Sequence, residues 1–172
     1  MKLFFTFAYI FMISQLNQAN FKGNPKEVVY IDGITIPVYD FEGFKPYLHP
    51  DDSSVYVINF WATWCKPCVE EMPHFIQLMQ EMEGQPVEFV FVSLDFRKNL
   101  EKGVVSFIRE HGMVDKTLMM NDPDANSWIG QVDPSWSGAI PATLVLRGEK
   151  REFYESQLSY RALKSIINSI KK

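Results

Sequence analysis

The chain has 172 residues, of which 47% are hydrophobic, and this length suits one compact domain with its own core rather than two sizeable domains. Its formal net charge is −4, with 17 lysines and arginines scattered among 21 aspartates and glutamates. Such a chain offers no broad basic surface, so we expect no nucleic-acid partner.

The N-terminal segment differs in composition from the rest of the chain. Lys2 precedes a largely apolar run over residues 3–13. This pattern predicts a secretory signal peptide over residues 1–19, with cleavage after Ala19. The run is shorter than the ~20 residues of a membrane-spanning helix, but an uncleaved membrane anchor stays open as the alternative. We therefore expect a secreted or periplasmic protein with a domain over residues 20–172, in contact with the membrane only if the segment is retained.

Two short strands and a short helix are predicted to open the domain. The apolar residues at 28–31 and 35–39 flank Asp32-Gly33, a pair that favours a two-residue hairpin turn. Helical spacing of apolar residues follows over 44–48. Residues 55–61 are then nearly all apolar, as a central strand covered on both faces should be.

The tetrad Cys65-Lys66-Pro67-Cys68 follows this strand and holds the only two cysteines of the chain. On a first helical turn, residues at i and i+3 lie about 5–6 Å apart, inside the ~4.4–6.8 Å Cα separation that a disulfide needs. A bridge over so short a loop removes little entropy from the unfolded chain, so it would be a weak structural staple. The pair therefore predicts redox chemistry.

The elements beyond the tetrad alternate in type. Apolar spacing and stop signals predict a helix from the redox pair to about Gly84, strands over 87–94, 117–120, 142–146 and 151–154, helices over 104–112 and 125–129, and a last amphipathic helix N-capped by Ser159. This order predicts a parallel βαβ core. The stretch from Trp128 to Trp136 is either a partner-facing loop or an insertion that packs on the domain.

Three motifs carry a resemblance to a known family: Phe60-Trp61-Ala62-x-Trp64-Cys65-x-Pro67-Cys68, Pro73 five residues beyond the second cysteine, and Ile140-Pro141-Ala142-Thr143. On these motifs the chain resembles the thioredoxin superfamily. The signal-like segment, Asn59 and Glu70-Glu71-Met72-Pro73 resemble its TlpA/ResA-type extracytoplasmic thiol:disulfide oxidoreductases. The resemblance implies an α/β thioredoxin fold, a central mixed β-sheet flanked by helices, with an N-terminal β-hairpin extension in this chain.

The resemblance gives the two cysteines different roles. Cys65 is implied to be the exposed nucleophile that attacks a substrate disulfide, and Cys68 the buried thiol that resolves the mixed disulfide. The thiolate is the reactive form. A helix N-terminus favours that charge on Cys65, and Lys66 adds a cation beside it.

The resemblance also implies a proton acceptor. Asn59 stands where cytoplasmic thioredoxins carry a buried aspartate that relays protons for the second cysteine, and an amide cannot take that proton. Glu71 lies one helical turn after Cys68, where TlpA/ResA-type proteins have an acid. Glu71 is therefore the predicted proton acceptor, whereas Glu70 is predicted to be a solvated helix residue.

A substrate groove is predicted beside the cysteines. The resemblance implies a cis peptide bond between Ile140 and Pro141. Because Pro141 has no N–H to donate, the backbone of Ile140 would stay open as an edge for an extended substrate segment. Trp64, Lys66 and Pro67 are the other residues predicted to line this groove.

These features predict a thiol:disulfide oxidoreductase that exchanges the Cys65–Cys68 dithiol or disulfide with cysteine pairs of client proteins. The resemblance implies a reductase of the cell envelope, kept reduced by a membrane thiol electron donor, with cytochrome c maturation as one task. We expect no cofactor besides this redox pair. No metal is expected either, because a zinc site wants four ligands and the three histidines have no telling spacing.

The sequence leaves two alternatives open. Peroxiredoxins share the fold, but they usually set a threonine three residues before the peroxidatic cysteine, and here that residue is Ala62, with Thr63 two before Cys65. A non-catalytic binding module could use the groove around Pro141 to hold partners. The intact cysteine pair argues against such a module.

Overall fold

The computed structural model describes residues 22–50 and 53–172, so the predicted signal segment lies outside the described residues. Seven strands form one sheet in the order β1-β2-β5-β4-β3-β6-β7. Their bounds are Glu27–Ile31 for β1, Ile34–Tyr39 for β2, Val55–Trp61 for β3, Val87–Ser93 for β4, Thr117–Met120 for β5, Ala142–Arg147 for β6 and Lys150–Tyr154 for β7.

The helices cover both faces of this sheet. They are α1 over Phe41–Phe44, α2 over Lys66–Glu81, α3 over Ser106–Glu110, α4 over Ala125–Val132 and α5 over Tyr160–Lys171. Short 3₁₀ turns occur at Lys45–Tyr47, Arg97–Asn99 and Val114–Lys116, and a π-helical segment at Leu100–Val105 leads into α3. None of the helices in residues 22–50 and 53–172 has the length and apolar character to cross a membrane.

The sheet is mixed, as predicted. Strands β2, β5, β4 and β3 run parallel to one another, whereas β1 is antiparallel to β2, β6 to β3, and β7 to β6. The predicted hairpin is also confirmed, because β1 and β2 pair around Asp32 at φ 49° and Gly33 at φ 81°. Both turn residues have a left-handed backbone conformation, which an Asp-Gly pair adopts with little strain.

The central strand β3 is buried along its whole length. Since successive side chains of a strand point to opposite faces, Val57 and Trp61 meet the helix α2 side, while Ile58 and Phe60 pack on the other side with α1 and α4. Asn59 shares the face of Val57 and Trp61. The strand thereby brings one buried polar side chain towards α2.

Two segments refine the predictions. The helix predicted from residue 104 starts earlier, at Leu100, and its Gly103 lies so close to Thr63 that an added Cβ would come 3.3 Å from Thr63 Oγ1. The stretch around Trp128 and Trp136 packs on the domain rather than forming a partner-facing loop. The ring of Trp136 is 4.7 Å from that of Phe60, and both tryptophans are nearly inaccessible.

Candidate active site

The redox tetrad lies where β3 passes into α2. A hydrogen bond of 3.1 Å from Cys65 N to Ala62 O closes the turn between the two elements. Cys65 is the N-cap of α2, and Cys68 N donates to Cys65 Sγ over 3.3 Å. Cys65 Sγ therefore lies at the positive end of the α2 dipole, where a thiolate is stabilised.

The two cysteines form a disulfide with their Cα atoms 5.3 Å apart, inside the separation that their spacing predicts. The expectation of an exposed Cys65 is wrong for this oxidised form, because only 5% of its surface is accessible, against 0% for Cys68. Its sulfur is bonded to Cys68 and lies 3.6 Å from Ile140 O. Cys65 is the more accessible of the two cysteines, and the order of attack stays a prediction.

The predicted groove segment lies directly beside this sulfur. The bond between Ile140 and Pro141 is cis, as the resemblance implied. The segment before it is fastened by Glu155, whose carboxylate accepts from Ser137 N at 3.1 Å and from Ala139 N at 2.9 Å. The Ser137 hydroxyl also donates to this carboxylate. The three hydrogen bonds, with that of the hydroxyl contributing most, lower the pKa of Glu155.

The other predicted groove residues differ in what they offer. Trp64 is 58% exposed and forms an apolar rim. Lys66 extends into solvent, with Nζ 3.6 Å from Glu70 Oε1, so we attribute the stabilisation of a Cys65 thiolate to the helix end rather than to Lys66. Pro67 is exposed, and its carbonyl accepts from Gln157 Nε2 over 2.8 Å.

Glu71 is a buried carboxyl, unlike its exposed neighbour Glu70. Asn59 Nδ2 donates to Glu71 Oε1 over 2.9 Å, and Leu158 N donates to Oε2 over 2.8 Å. Burial raises the pKa of Glu71 to about 7, because the loss of hydration outweighs the two hydrogen bonds that favour the carboxylate. A group with this pKa can take up and release a proton near neutral pH.

Three contacts around the site involve residues to which the sequence assigned no role. Thr143 Oγ1 accepts from Asn59 Nδ2 over 3.1 Å. The backbone of Leu158 joins two α2 side chains, since its N–H donates to Glu71 and its carbonyl oxygen lies 3.2 Å from His74 Nδ1. The sequence did offer a signal for Thr143, because it is a polar residue within an otherwise apolar strand. Leu158 had none, because its contribution is a backbone group from a distant loop.

Asp95 is a further residue that the predictions missed. Its carboxylate accepts from Thr63 N over 2.9 Å, from Thr63 Oγ1 over 2.5 Å and from Ser93 Oγ over 3.0 Å. These bonds fix the turn that leads to Cys65. An acid just after β4, the parallel neighbour of β3, could have been placed near the end of β3 from the topology alone.

Comparison with curated proteins finds relatives that are named thiol-disulfide oxidoreductase ResA. The thiol-disulfide oxidoreductase ResA of Oceanobacillus iheyensis is 32% identical over 143 residues, covering 81% of this chain and 64% of the relative. ResA of Geobacillus thermodenitrificans is 27% identical over 145 residues, covering 81% of this chain and 78% of the relative. The chain thus spans just under two thirds of the length of the first of these relatives.

Solved structures and a family model agree on the fold. A thiol:disulfide interchange protein of the thioredoxin family from Chlorobium tepidum superposes with a TM-score of 0.61 at 21% identity, over 88% of this chain and 97% of that protein. The model of the AhpC/TSA family matches residues 39–151, which include both cysteines, Glu71 and Pro141. The chain therefore belongs to the AhpC/TSA family, within the thioredoxin superfamily.

Proposed function

We propose that this protein is a thiol:disulfide oxidoreductase that reduces disulfides of client proteins through Cys65 and Cys68. The position of the redox pair supports this proposal most directly. The Cys65–Cys68 disulfide lies at the N-terminus of α2, with Ile140 O 3.6 Å from Cys65 Sγ. The ResA relatives support this reaction class through the names they carry.

The reaction balances with the residues present. In the reduced protein, the Cys65 thiolate attacks one sulfur of a client disulfide, and the other client sulfur leaves as a thiolate. Cys68 then loses its proton and attacks Cys65 Sγ, which breaks the mixed disulfide and releases the second client thiolate. Two electrons pass to the client, and Cys65–Cys68 becomes the disulfide seen in the structure. An external dithiol donor must restore the reduced form.

Glu71 is the proposed acceptor of the Cys68 proton. Glu71 follows Cys68 by one turn of α2, and residues at this spacing are neighbours on a helix surface. Because the pKa of Glu71 is raised to about 7, its ionised and protonated forms are both well populated near neutral pH. The carboxylate form can therefore accept the thiol proton, and the acid form can return it when the disulfide is reduced again.

The proposed setting is the cell envelope. The support is the predicted signal segment at residues 1–19, together with the resemblance to extracytoplasmic oxidoreductases. A client with paired cysteines and a membrane thiol donor that recycles Cys65–Cys68 complete the proposal, with cytochrome c maturation as a candidate task. The groove at Ile140 and Pro141 would receive the client as an extended segment.

A direct comparison of two substrates tests this proposal. The protein is reduced, freed of reductant, and mixed with either insulin or hydrogen peroxide in the presence of a thiol donor. We expect rapid reduction of insulin disulfides and peroxide consumption at the background rate of the donor. A sample with both cysteines alkylated is the control. Peroxide consumption well above insulin reduction would instead assign a peroxidase, and inactivity towards both would leave a binding module.

A further inference from the structure

The amide of Asn59 is bonded unequally at its two ends. Its nitrogen donates to Glu71 Oε1 at 2.9 Å and to Thr143 Oγ1 at 3.1 Å. Its oxygen is buried and has no hydrogen-bond partner within the part of the chain that the structure describes. An unsatisfied buried amide oxygen costs stability. Asn59 therefore carries a cost that an apolar residue of similar size would avoid.

The orientation of this amide matches one form of Glu71. An ionised carboxylate only accepts hydrogen bonds, and both of its oxygens here face N–H donors, from Asn59 and from Leu158. A protonated carboxyl must also donate. The Leu158 donor belongs to the backbone and cannot turn into an acceptor. The Asn59 amide can, because rotation of its side-chain end exchanges nitrogen for oxygen.

We propose that Asn59 is a reversible positioning residue for Glu71, with Nδ2 facing the carboxylate and Oδ1 facing the protonated acid. This inference rests on the proposed function, in which Glu71 receives the proton of Cys68. Thr143 serves both orientations, since its hydroxyl accepts from Nδ2 in one and donates to Oδ1 in the other. Each orientation leaves one amide atom without a partner, but the hydrogen bond to the carboxylate is charge-assisted and is therefore the stronger of the two, so Asn59 favours the ionised form of Glu71.

The rotation adds no charge and no electron to the reaction. Cys68 gives its proton to the Glu71 carboxylate, the Cys68 thiolate forms the bond to Cys65 Sγ, and the bond between Cys65 and the client sulfur breaks. Asn59 then turns Oδ1 towards the new O–H of Glu71. The amide thereby stabilises the proton where the thiol has left it and reverses when the proton departs.

The groups that face Glu71 are few enough for a clean titration. On its own helix, Cys68 precedes Glu71 by three residues and His74 follows it by three, and His74 Nδ1 lies 3.2 Å from the carbonyl oxygen of Leu158. The two strands contribute Asn59 and Thr143, which do not titrate. In the oxidised protein the cysteines are held in the disulfide and do not titrate, and the carboxyl carbon of Glu71 can be followed through its own signal.

The test is a carbon-13 NMR titration of the Glu71 carboxyl in the oxidised protein. Asn59→Leu should make Glu71 bind its proton about tenfold more tightly, because the carboxylate loses a charge-assisted hydrogen bond. Thr143→Val is the matched control. It removes one partner from each orientation of the amide, so the proton affinity should stay within about twofold of the wild-type value. An unchanged titration in Asn59→Leu would overturn the proposal.

A measurement on the unaltered protein keeps the proposal testable if Asn59→Leu does not fold. Above the titration midpoint of Glu71, nuclear Overhauser effects should connect the Asn59 Nδ2 protons with the Thr143 methyl group, and below it they should weaken strongly. Equal intensities on both sides would contradict the rotation. None of these readouts requires turnover, so a protein that fails to reduce insulin would refute the proposed function without deciding the behaviour of Asn59.

Discussion

Replacing Cys65 with serine is expected to lower the rate of insulin reduction to the uncatalysed background. The nucleophile in exchange is a thiolate, and a serine hydroxyl at the N-terminus of α2 cannot form a mixed disulfide. The remaining Cys68 is fully buried, so it should not substitute for the lost sulfur. Turbidity of precipitating insulin chains, followed with a thiol donor present, gives the rate.

Thr63→Ser provides the matched control for this experiment. It lies in the same turn and keeps the hydroxyl that donates to Asp95, so the rate should stay close to that of the unaltered protein. Folding of each variant is checked by circular dichroism under reducing conditions, where no disulfide contributes. Insulin reduction that survives Cys65→Ser in a folded protein would remove Cys65 from the reaction.

Glu71→Gln is expected to flatten the pH dependence of the free energy of unfolding. In the folded protein the pKa of Glu71 is about 7, raised by burial from the ordinary value of 4.5. The folded state thus holds this proton to higher pH than the unfolded state does. The stabilisation is complete below pH 4.5 and is lost as the pH rises to 7. The loss amounts to about 3 kcal/mol at 1.36 kcal/mol per unit.

Denaturant unfolding of the oxidised protein between pH 4 and pH 8 measures this effect. The difference between Glu71→Gln and the unaltered protein should grow in favour of the variant by about 3 kcal/mol across that range. Glu70→Gln is the control, because Glu70 is exposed on the same helix and should give no comparable change. Parallel pH profiles for Glu71→Gln and the unaltered protein would show that folding does not raise the pKa of Glu71, and would remove the basis for its role as proton acceptor.

Much of the fold followed from local patterns in the sequence. The apolar run over Val55–Trp61 predicted a strand covered on both faces, and all of its residues are buried. The Asp32-Gly33 pair predicted the hairpin turn, and Ser159 was predicted as the N-cap that it forms for α5. These features depend on periodicity and turn chemistry, which neighbouring residues determine.

The candidate site was predictable only in part. Spacing alone brought Cys65 and Cys68 together, and Asn59 and Glu71 were each singled out, although their contact of 2.9 Å was not foreseen. The missing contacts join residues far apart in the chain. Leu158 reaches Glu71 across 87 positions, and Glu155 reaches Ala139 across 16. Such contacts depend on how loops pack over the sheet, which local patterns do not determine.

Trapping with Cys68→Ala is the measurement that tests the central claim most directly. The reduced variant is mixed with insulin, quenched with acid, and analysed by non-reducing electrophoresis and peptide mass spectrometry. Because resolution needs the Cys68 thiol, we predict a covalent adduct that joins Cys65 to an insulin cysteine and dissolves on addition of a thiol reductant. Absence of this adduct from Cys68→Ala, together with an adduct on Cys68 in Cys65→Ala, would contradict the assigned order of attack and resolution.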